Sequence, residues 1–218
     1  ATNPTLALTV SGLSGTNTVT DANNKITTLN ITTGASASNL AGVAATKVTA
    51  LTIAGESKLT LSTAGMTALK TIAVNGNAGL TSTVALPGTV TAIDASGTAG
   101  ANTVTLLSTQ TSYTGGSGVD TVTITGVATK ALDGGAGTSD VLVSNTATYA
   151  ANTKDSNFEG LKMGAAASGA FVATGFTSLS AGAITGASSF TNVAAGSALA
   201  ISTEATKAIT YTLANATG

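Results

Sequence analysis

The chain has 218 residues and a formal net charge of −1 at pH 7; 43% of its residues are hydrophobic, 8% charged and 3% aromatic. Every basic residue is lysine, and cysteine and histidine are absent, which excludes disulfides, thiolate metal sites and imidazole ligands for zinc. There is no basic patch for nucleic acid and no apolar run of about eighteen residues that would span a membrane. Disorder would require lower hydrophobicity or higher net charge, so the chain is expected to fold.

Residues 1–112 carry a repeated strand-like phrase. Apolar and polar residues alternate in TTLNI, TALTI, KTIAV and TAIDA, as they do in half-buried strands, and a second strand such as KLTLS or NTVTL follows in several units. The equivalent inward residues, at separations of 22, 21 and 21 positions, are Leu29, Leu51, Ile72 and Ile93. A fixed period of about twenty residues with two strands per unit predicts a parallel β-solenoid. The alternative is a sandwich of short antiparallel strands, which has no reason to keep the period.

Two glycine-rich segments follow. GGSGVDTVT, at residues 115–123, matches the nonapeptide G-G-x-G-x-D-x-U-x, and GGAGTSDVL, at residues 134–142, repeats it with one extra residue before the aspartate. Paired glycines let the backbone turn so that carbonyl oxygens point inward, and the aspartate adds a carboxylate; Ca²⁺ prefers such oxygens. Each nonapeptide predicts a turn followed by a strand, so the two loops should stack on one edge and share an ion. The competing interpretation is a pair of plain glycine-rich turns.

These segments resemble the RTX calcium repeats of type I secreted proteins. The resemblance implies six oxygen ligands, namely the carbonyls of Gly116 and Gly118 with the carboxylate of Asp120 in the lower loop, and the carbonyls of Gly134 and Ala136 with the carboxylate of Asp140 in the upper loop. The extra residue at Thr138 or Ser139 departs from the family pattern, and Asp133 is the alternative carboxylate if Asp140 does not reach the ion.

After Val143 the strand-like sequence pattern continues with a shorter spacing between repeats. A Phe-x-x-Leu/Val phrase recurs at Phe158/Leu161, Phe176/Leu179 and Phe190/Val193, which predicts apolar core positions. Residues 149–157 are the most polar segment and are expected to form a loop. The alternating oxygen side chains of Asp155, Asn157 and Glu159 are a second candidate calcium site, for which a solvated turn is the competing interpretation.

The sequence therefore predicts an all-β chain forming one continuous right-handed parallel β-solenoid, of the β-helix or β-roll kind, with RTX-type calcium loops. Coils of about 21 residues cover 1–112, a calcium-binding coil pair covers 113–143 and shorter coils cover 144–218. No secretory signal opens the sequence, so we expect a part of a longer chain whose export signal lies elsewhere or is of the type I kind.

An enzyme is not expected. A serine triad would need a base that the absent histidine cannot supply, no phosphate-binding loop or nucleophile elbow is present, and few acids remain to form a catalytic pair. The expected classes are a structural protein or a binding module. For the latter, rows of threonine such as residues 121–125 would face a glycan or ice, although threonine is also an ordinary strand residue.

The segments LDGGAGTSDVLVSN and SNFEGLKMGAAASG resemble RTX-containing surface-layer (S-layer) proteins of Gram-negative bacteria, of the Caulobacter type. The resemblance implies type I export, Ca²⁺-dependent assembly with further copies of the chain into a lattice on the cell surface, and anchoring to lipopolysaccharide by a region outside this sequence. The alternative is an adhesin or passenger solenoid of a large secreted RTX protein.

Overall fold

The computed structural model describes residues 4–151, 153–202 and 205–214. Within them the chain is all-β, and its strands are short segments in which buried and exposed side chains alternate. This alternation follows from the two-residue period of a strand, which sends successive side chains to opposite faces. Most strands therefore bury one row of side chains and leave the other row at the surface, whereas the strands Ala198–Ile201 and Ile209–Leu213 are exposed almost throughout. No helix in this part of the chain is long and apolar enough to cross a membrane.

The N-terminal half contains eleven of the strands that the structure describes. In chain order they are β1 (Thr5–Val10), β2 (Thr18–Thr20), β3 (Thr28–Thr33), β4 (Ser38–Leu40), β5 (Gly42–Ala44), β6 (Ala50–Gly55), β7 (Leu59–Leu61), β8 (Thr71–Gly76), β9 (Leu80–Ser82), β10 (Ala92–Thr98) and β11 (Thr103–Leu106).

The C-terminal half continues in the same manner. Its strands are β12 (Ser112–Thr114), β13 (Thr121–Ile124), β14 (Leu132–Asp133), β15 (Val141–Ser144), β16 (Asp155–Ser156), β17 (Gly160–Met163), β18 (Ala170–Val172), β19 (Ser178–Ala181), β20 (Ser188–Val193), β21 (Ala198–Ile201) and β22 (Ile209–Leu213).

Two long parallel sheets organise these strands into a solenoid of about ten coils. An eight-stranded sheet has the order β1-β3-β6-β8-β10-β12-β14-β16, and a nine-stranded sheet has the order β21-β19-β17-β15-β13-β11-β9-β7-β4. There are two smaller parallel sheets, β2-β5 and β18-β20-β22; β5 follows β4 along the chain, and β18, β20 and β22 follow β17, β19 and β21 of the nine-stranded sheet. Each coil thus supplies one strand to each long sheet over most of the length, and the predicted parallel β-solenoid is confirmed.

The core consists of columns of equivalent residues from successive coils. Leu29 pairs with Leu51, Leu51 with Ile72, and Ile72 with Ile93, which is the predicted period, and each of the four is at most 2% exposed. Burying such a side chain contributes about 1.5–3 kcal/mol. The columns therefore supply much of the stabilisation that a chain with few aromatic residues needs.

The three Phe-x-x-Leu/Val phrases are buried, as predicted, but they do not form one column. Leu161 and Leu179 pair within the nine-stranded sheet, whereas Phe190 pairs with Phe171 in the three-stranded sheet. The ring centroids of Phe171 and Phe190 are 6.2 Å apart in an edge-to-face arrangement. The third phrase starts only fourteen residues after the second, which is less than one coil, so it falls on a different side of the solenoid.

The segment predicted as a polar loop, residues 149–157, is in part built into the core. Tyr149 is 5% exposed and forms a β-bridge with Phe171, and its hydroxyl donates a hydrogen bond to Asp155 Oδ2. Asp155 begins β16, where it pairs with the fully buried Leu132. This pairing places a carboxylate in a column otherwise made of apolar residues, at the last strand of the eight-stranded sheet.

Candidate metal centre

The two glycine-rich segments form the corner between the eight-stranded and nine-stranded sheets. Residues 115–120 connect β12 to β13, and residues 134–140 connect β14 to β15. Thr114 pairs with Asp133 before the corner, and Thr121 pairs with Val141 after it. The two loops therefore lie one coil apart on the same edge, as predicted. The extra residue of the upper loop is absorbed within the corner, since the register offset grows there by one residue.

One pair of predicted ligands meets at Gly137. A Cβ at this position would collide with the carboxylate of Asp140 and would lie 2.9 Å from the carbonyl oxygen of Gly118 in the coil below. Any larger residue here would have to displace the Asp140 carboxylate, because its Cβ would fill the space between the two oxygens. The hollow left by the missing Cβ is thus bordered by a carboxylate and a carbonyl, the oxygen types that Ca²⁺ binds.

A second pair meets at Gly115, on the lower loop. A Cβ there would collide with the carbonyl oxygen of Gly134 and would lie 2.6 Å from Asp120 Oδ2. Of the remaining predicted ligands, Gly116 uses its carbonyl oxygen to accept a hydrogen bond from the N–H of Ala136, at 2.7 Å. That bond joins the two loops, so four of the six predicted ligands are brought together in pairs and a fifth links the loops.

Asp120 is fully buried and points into the solenoid. Its Oδ1 accepts hydrogen bonds from the backbone N–H of Asn102, at 2.8 Å, and from Asn102 Nδ2, at 2.9 Å, while its Oδ2 accepts one from the Tyr113 hydroxyl, at 2.8 Å. Burial and the neighbouring negative charge of Asp120 raise the pKa of Tyr113 well above its ordinary value, so the phenol remains a donor. Three donors thus hold this carboxylate in place.

The same arrangement repeats over four coils and forms what we term the polar ladder: Asn102, Asp120, Asp140 and Glu159. The N–H of Leu80 donates to Asn102 Oδ1 at 3.0 Å, that of Asp120 to Asp140 Oδ1 at 2.6 Å, and that of Asp140 to Glu159 Oε2 at 3.0 Å. Each ladder residue directly precedes a strand of the nine-stranded sheet, so the four occupy equivalent positions. Each side-chain oxygen therefore accepts a hydrogen bond from a backbone N–H of the coil below, which would otherwise lack a partner.

Negative charge accumulates around Asp140. Burial, together with the charges of Asp120, Glu159 and Asp133, raises the pKa of this carboxyl to about 6, against the hydrogen bond from the Asp120 N–H, which lowers it. Adjacent coils of a parallel sheet are about 4.8 Å apart, so these like charges are close neighbours. Asp140 is fully buried, and no hydrogen bond within the described residues reaches its Oδ2 atom. Binding either a proton or a cation at Asp140 would reduce the repulsion between these like charges.

The second candidate group is not brought together at one point. The Asp155 carboxylate accepts the Tyr149 hydroxyl, and Asn157 Nδ2 donates to Asp133 Oδ1 at 2.7 Å. Asp133 Oδ1 also accepts a hydrogen bond from the N–H of Gly135, at 3.0 Å. Asp133, the alternative ligand, therefore stabilises the conformation of the upper loop. The Glu159 side chain turns towards Asp140 and belongs to the polar ladder.

The oxygen atoms of the corner suit a calcium ion. Across the described ranges, no three side chains of His, Cys, Asp or Glu form a metal-binding group by themselves, so backbone carbonyls have to complete any coordination shell. An ionised carboxylate can accept about four hydrogen bonds or metal contacts. Asp120 accepts three hydrogen bonds and Asp140 one, so most of the remaining capacity belongs to Asp140. An ion at this corner would therefore be held mainly by Asp140 and by carbonyls such as that of Gly118.

Sequence reasoning did not identify Asn102, Tyr113 or the link from Glu159 to Asp140. A signal was present, because residues 102, 120, 140 and 159 each carry an oxygen side chain and recur at 18, 20 and 19 positions, near the coil period. The direction of these side chains is what the sequence leaves open, since a residue before a strand can face either inward or outward. The nonapeptide pattern assigns both aspartates to an ion shared by the two loops, and it gives no indication of their hydrogen bonds to neighbouring coils.

No protein-family model matches the chain, and a search of curated proteins finds no match. At the corner site, the hollow at Gly137 and the buried Oδ2 atom of Asp140 coincide.

Proposed function

We propose that this chain is a structural, non-enzymatic subunit of a calcium-dependent two-dimensional surface layer on the outside of a Gram-negative bacterium. The observation that carries the proposal is the buried Oδ2 atom of Asp140, which no hydrogen bond within the described residues reaches and which borders the same hollow as the carbonyl oxygen of Gly118. A hard cation with oxygen ligands suits this position.

Calcium binding at this corner would couple secretion to folding. Extracellular calcium modules typically bind with dissociation constants of about 10⁻⁴–10⁻³ M, so such a site is empty in the cytosol and filled outside the cell. Without the ion, the repulsion around Asp140 opposes the stacking of the two loops. The chain would consequently remain export-competent inside the cell and complete its solenoid after secretion.

The surface of the solenoid suits self-assembly into a lattice. Only 8% of the residues are charged, and the outward rows of the sheets consist largely of threonine, serine, alanine and asparagine. Contacts between such surfaces are individually weak, but a lattice joins each subunit to several neighbours and multiplies them. Lipopolysaccharide would be bound by a region outside this sequence.

Sedimentation velocity tests the proposal. Wild-type protein is compared in about 10⁻³ M Ca²⁺, in the same concentration of Mg²⁺ and in chelator, and Asp140→Asn is compared with Asp94→Asn, which changes an exposed carboxylate outside the site. We expect large species only with Ca²⁺, and only in wild type and Asp94→Asn. A wild-type protein that compacts with Ca²⁺ but stays monomeric would refute the lattice, and one that ignores Ca²⁺ would refute the ion site as well.

One observation favours the second candidate, an adhesin or passenger module of a large RTX protein. The outward face of the nine-stranded sheet bears an in-register threonine column formed by Thr60, Thr81, Thr103 and Thr121. A second pair, Thr105 and Thr123, lies beside it in register. A flat row of hydroxyl and methyl groups can face a glycan or ice. Glycan binding or thermal hysteresis that is lost in Thr103→Val would favour this function over a lattice.

A further inference from the structure

We propose that Glu159 and Asn102, at the two ends of the polar ladder, are positioning residues for the cation at Asp140, and that the ladder transmits ion binding to the coil of Leu80. The inference rests on the ion site of the proposed function and concerns residues outside the glycine-rich loops. It follows from four side-chain hydrogen bonds to backbone N–H groups that run in series through successive coils.

The upper end of the ladder fixes the backbone at the ion site. Glu159 Oε2 accepts the N–H of Asp140 at 3.0 Å, and Asp140 in turn directs its Oδ1 to the N–H of Asp120 at 2.6 Å. With Oδ1 held in this way, the other carboxylate oxygen of Asp140 faces the hollow at Gly137. Glu159, in the coil above, therefore orients the ligand Asp140 without binding the ion itself, because its carboxylate accepts the Asp140 backbone N–H.

The lower end holds the second carboxylate. Asn102 donates twice to Asp120 Oδ1 and accepts the N–H of Leu80 with its own Oδ1. Movement of Asp120 on ion binding therefore acts directly on the coil of Leu80. One coil further down, the equivalent residue is Leu59, whose N–H donates to the backbone carbonyl of Gly79 at 2.8 Å. The ladder thus ends at Leu80, and Leu59 is its natural control.

The first test separates the hydrogen bond of Glu159 from its charge. Glu159→Gln keeps an oxygen that can accept the Asp140 N–H, whereas Glu159→Ala does not, and both variants lack the charge. We expect Glu159→Ala to bind Ca²⁺ at least about tenfold more weakly than Glu159→Gln in titration calorimetry. The matched pair Glu56→Gln and Glu56→Ala alters an exposed acid at the same corner of another coil, and its members should bind equally.

A second measurement follows the ladder itself. Amide hydrogen exchange of the full chain is compared with and without Ca²⁺ at the N–H groups of Leu80, Asn102, Asp120 and Asp140, with the N–H of Leu59 as reference. We expect Ca²⁺ to slow exchange at the four ladder amides and not at Leu59, and we expect Glu159→Ala to lose this effect. Protection that stops at Asp120, or that extends equally to Leu59, would overturn the transmission.

The outcomes separate this inference from the proposed function. Equal Ca²⁺ affinities of Glu159→Gln and Glu159→Ala would overturn the positioning role, even if wild-type protein forms a lattice. Tight Ca²⁺ binding with the expected exchange pattern, but without association in sedimentation, would overturn the lattice and leave the positioning role intact. Absence of Ca²⁺ binding by wild-type protein would overturn both.

Discussion

The unpartnered carboxylate oxygen of Asp140 makes the metal-free protein sensitive to pH in an unusual direction. Burial raises the pKa of Asp140 from its ordinary value of 3.8 to about 6, so between these values the folded protein holds a proton that the unfolded chain has lost. Stability must then fall as the pH rises through this window. A shift of about two units corresponds to about 3 kcal/mol, or about 6–12 °C in the melting temperature of a chain of this size.

The assay is thermal unfolding in chelator between about pH 4 and pH 7, with wild type compared to Asp140→Asn. The amide of the variant keeps an oxygen acceptor for the Asp120 N–H but carries no charge, so the difference between the two curves isolates the titration of Asp140. Asp94→Asn is the control. Hydrogen bonds from the Ser96 side chain and backbone lower the pKa of Asp94, so its titration lies below the window and the slope should stay that of wild type.

Calcium should reverse the trend, because the ion replaces the proton at Asp140 and binds best where the carboxylate is ionised. Wild type with Ca²⁺ is expected to be more stable at pH 7 than without it, whereas Asp140→Asn should gain little. A metal-free wild-type protein that becomes more stable towards pH 7, or an Asp140→Asn variant with an unchanged slope, would refute the assignment of an uncompensated buried carboxylate.

Two further substitutions test the neighbouring contacts. Tyr113→Phe removes the hydroxyl donor to Asp120 Oδ2 and should lower the free energy of unfolding by about 1–3 kcal/mol, measured by denaturant titration, while Tyr211→Phe, at an exposed ring, should change little. A neutral Tyr113→Phe would show that this hydrogen bond does not hold the carboxylate. Gly137→Ala fills the hollow and should abolish the effect of Ca²⁺ on melting temperature, whereas Gly126→Ala, whose nearest contact is 3.8 Å away, should retain it. An intact Ca²⁺ response in Gly137→Ala would place the ion elsewhere.

The fold could be predicted from the sequence because each coil of a solenoid repeats the same spacing of apolar residues. Leu29, Leu51, Ile72 and Ile93 recur at nearly constant spacing, and a parallel stack is the arrangement that needs such spacing. The position of Phe190 was less accessible. A short phrase identifies an apolar position but does not specify which side of the coil it occupies, and here the phrase falls on the three-stranded sheet.

The candidate site was predictable at the level of the loops and not at the level of side-chain direction. The glycine pattern located residues 115–120 and 134–140 on one edge, which the register confirms. The sequence could not reveal that Asp120 turns inward to Asn102 and Tyr113, because these partners come from the preceding coil and from a strand at the other side of the corner. Hydrogen bonds between coils depend on geometry that a local motif does not encode.

β16 is the last strand of the eight-stranded sheet, and a chain cut just before it should remain one folded particle. Lys154 lies immediately before this strand with an exposed side chain, and its carbonyl oxygen accepts the N–H of Leu132 at 2.7 Å, so trypsin reaches the peptide bond that follows it only when this pairing opens. The resulting halves remain joined by the pairing of β15 with β17, of β14 with β16, and of Tyr149 with Phe171. A chain nicked there should elute as one particle under native conditions and as two fragments in denaturant.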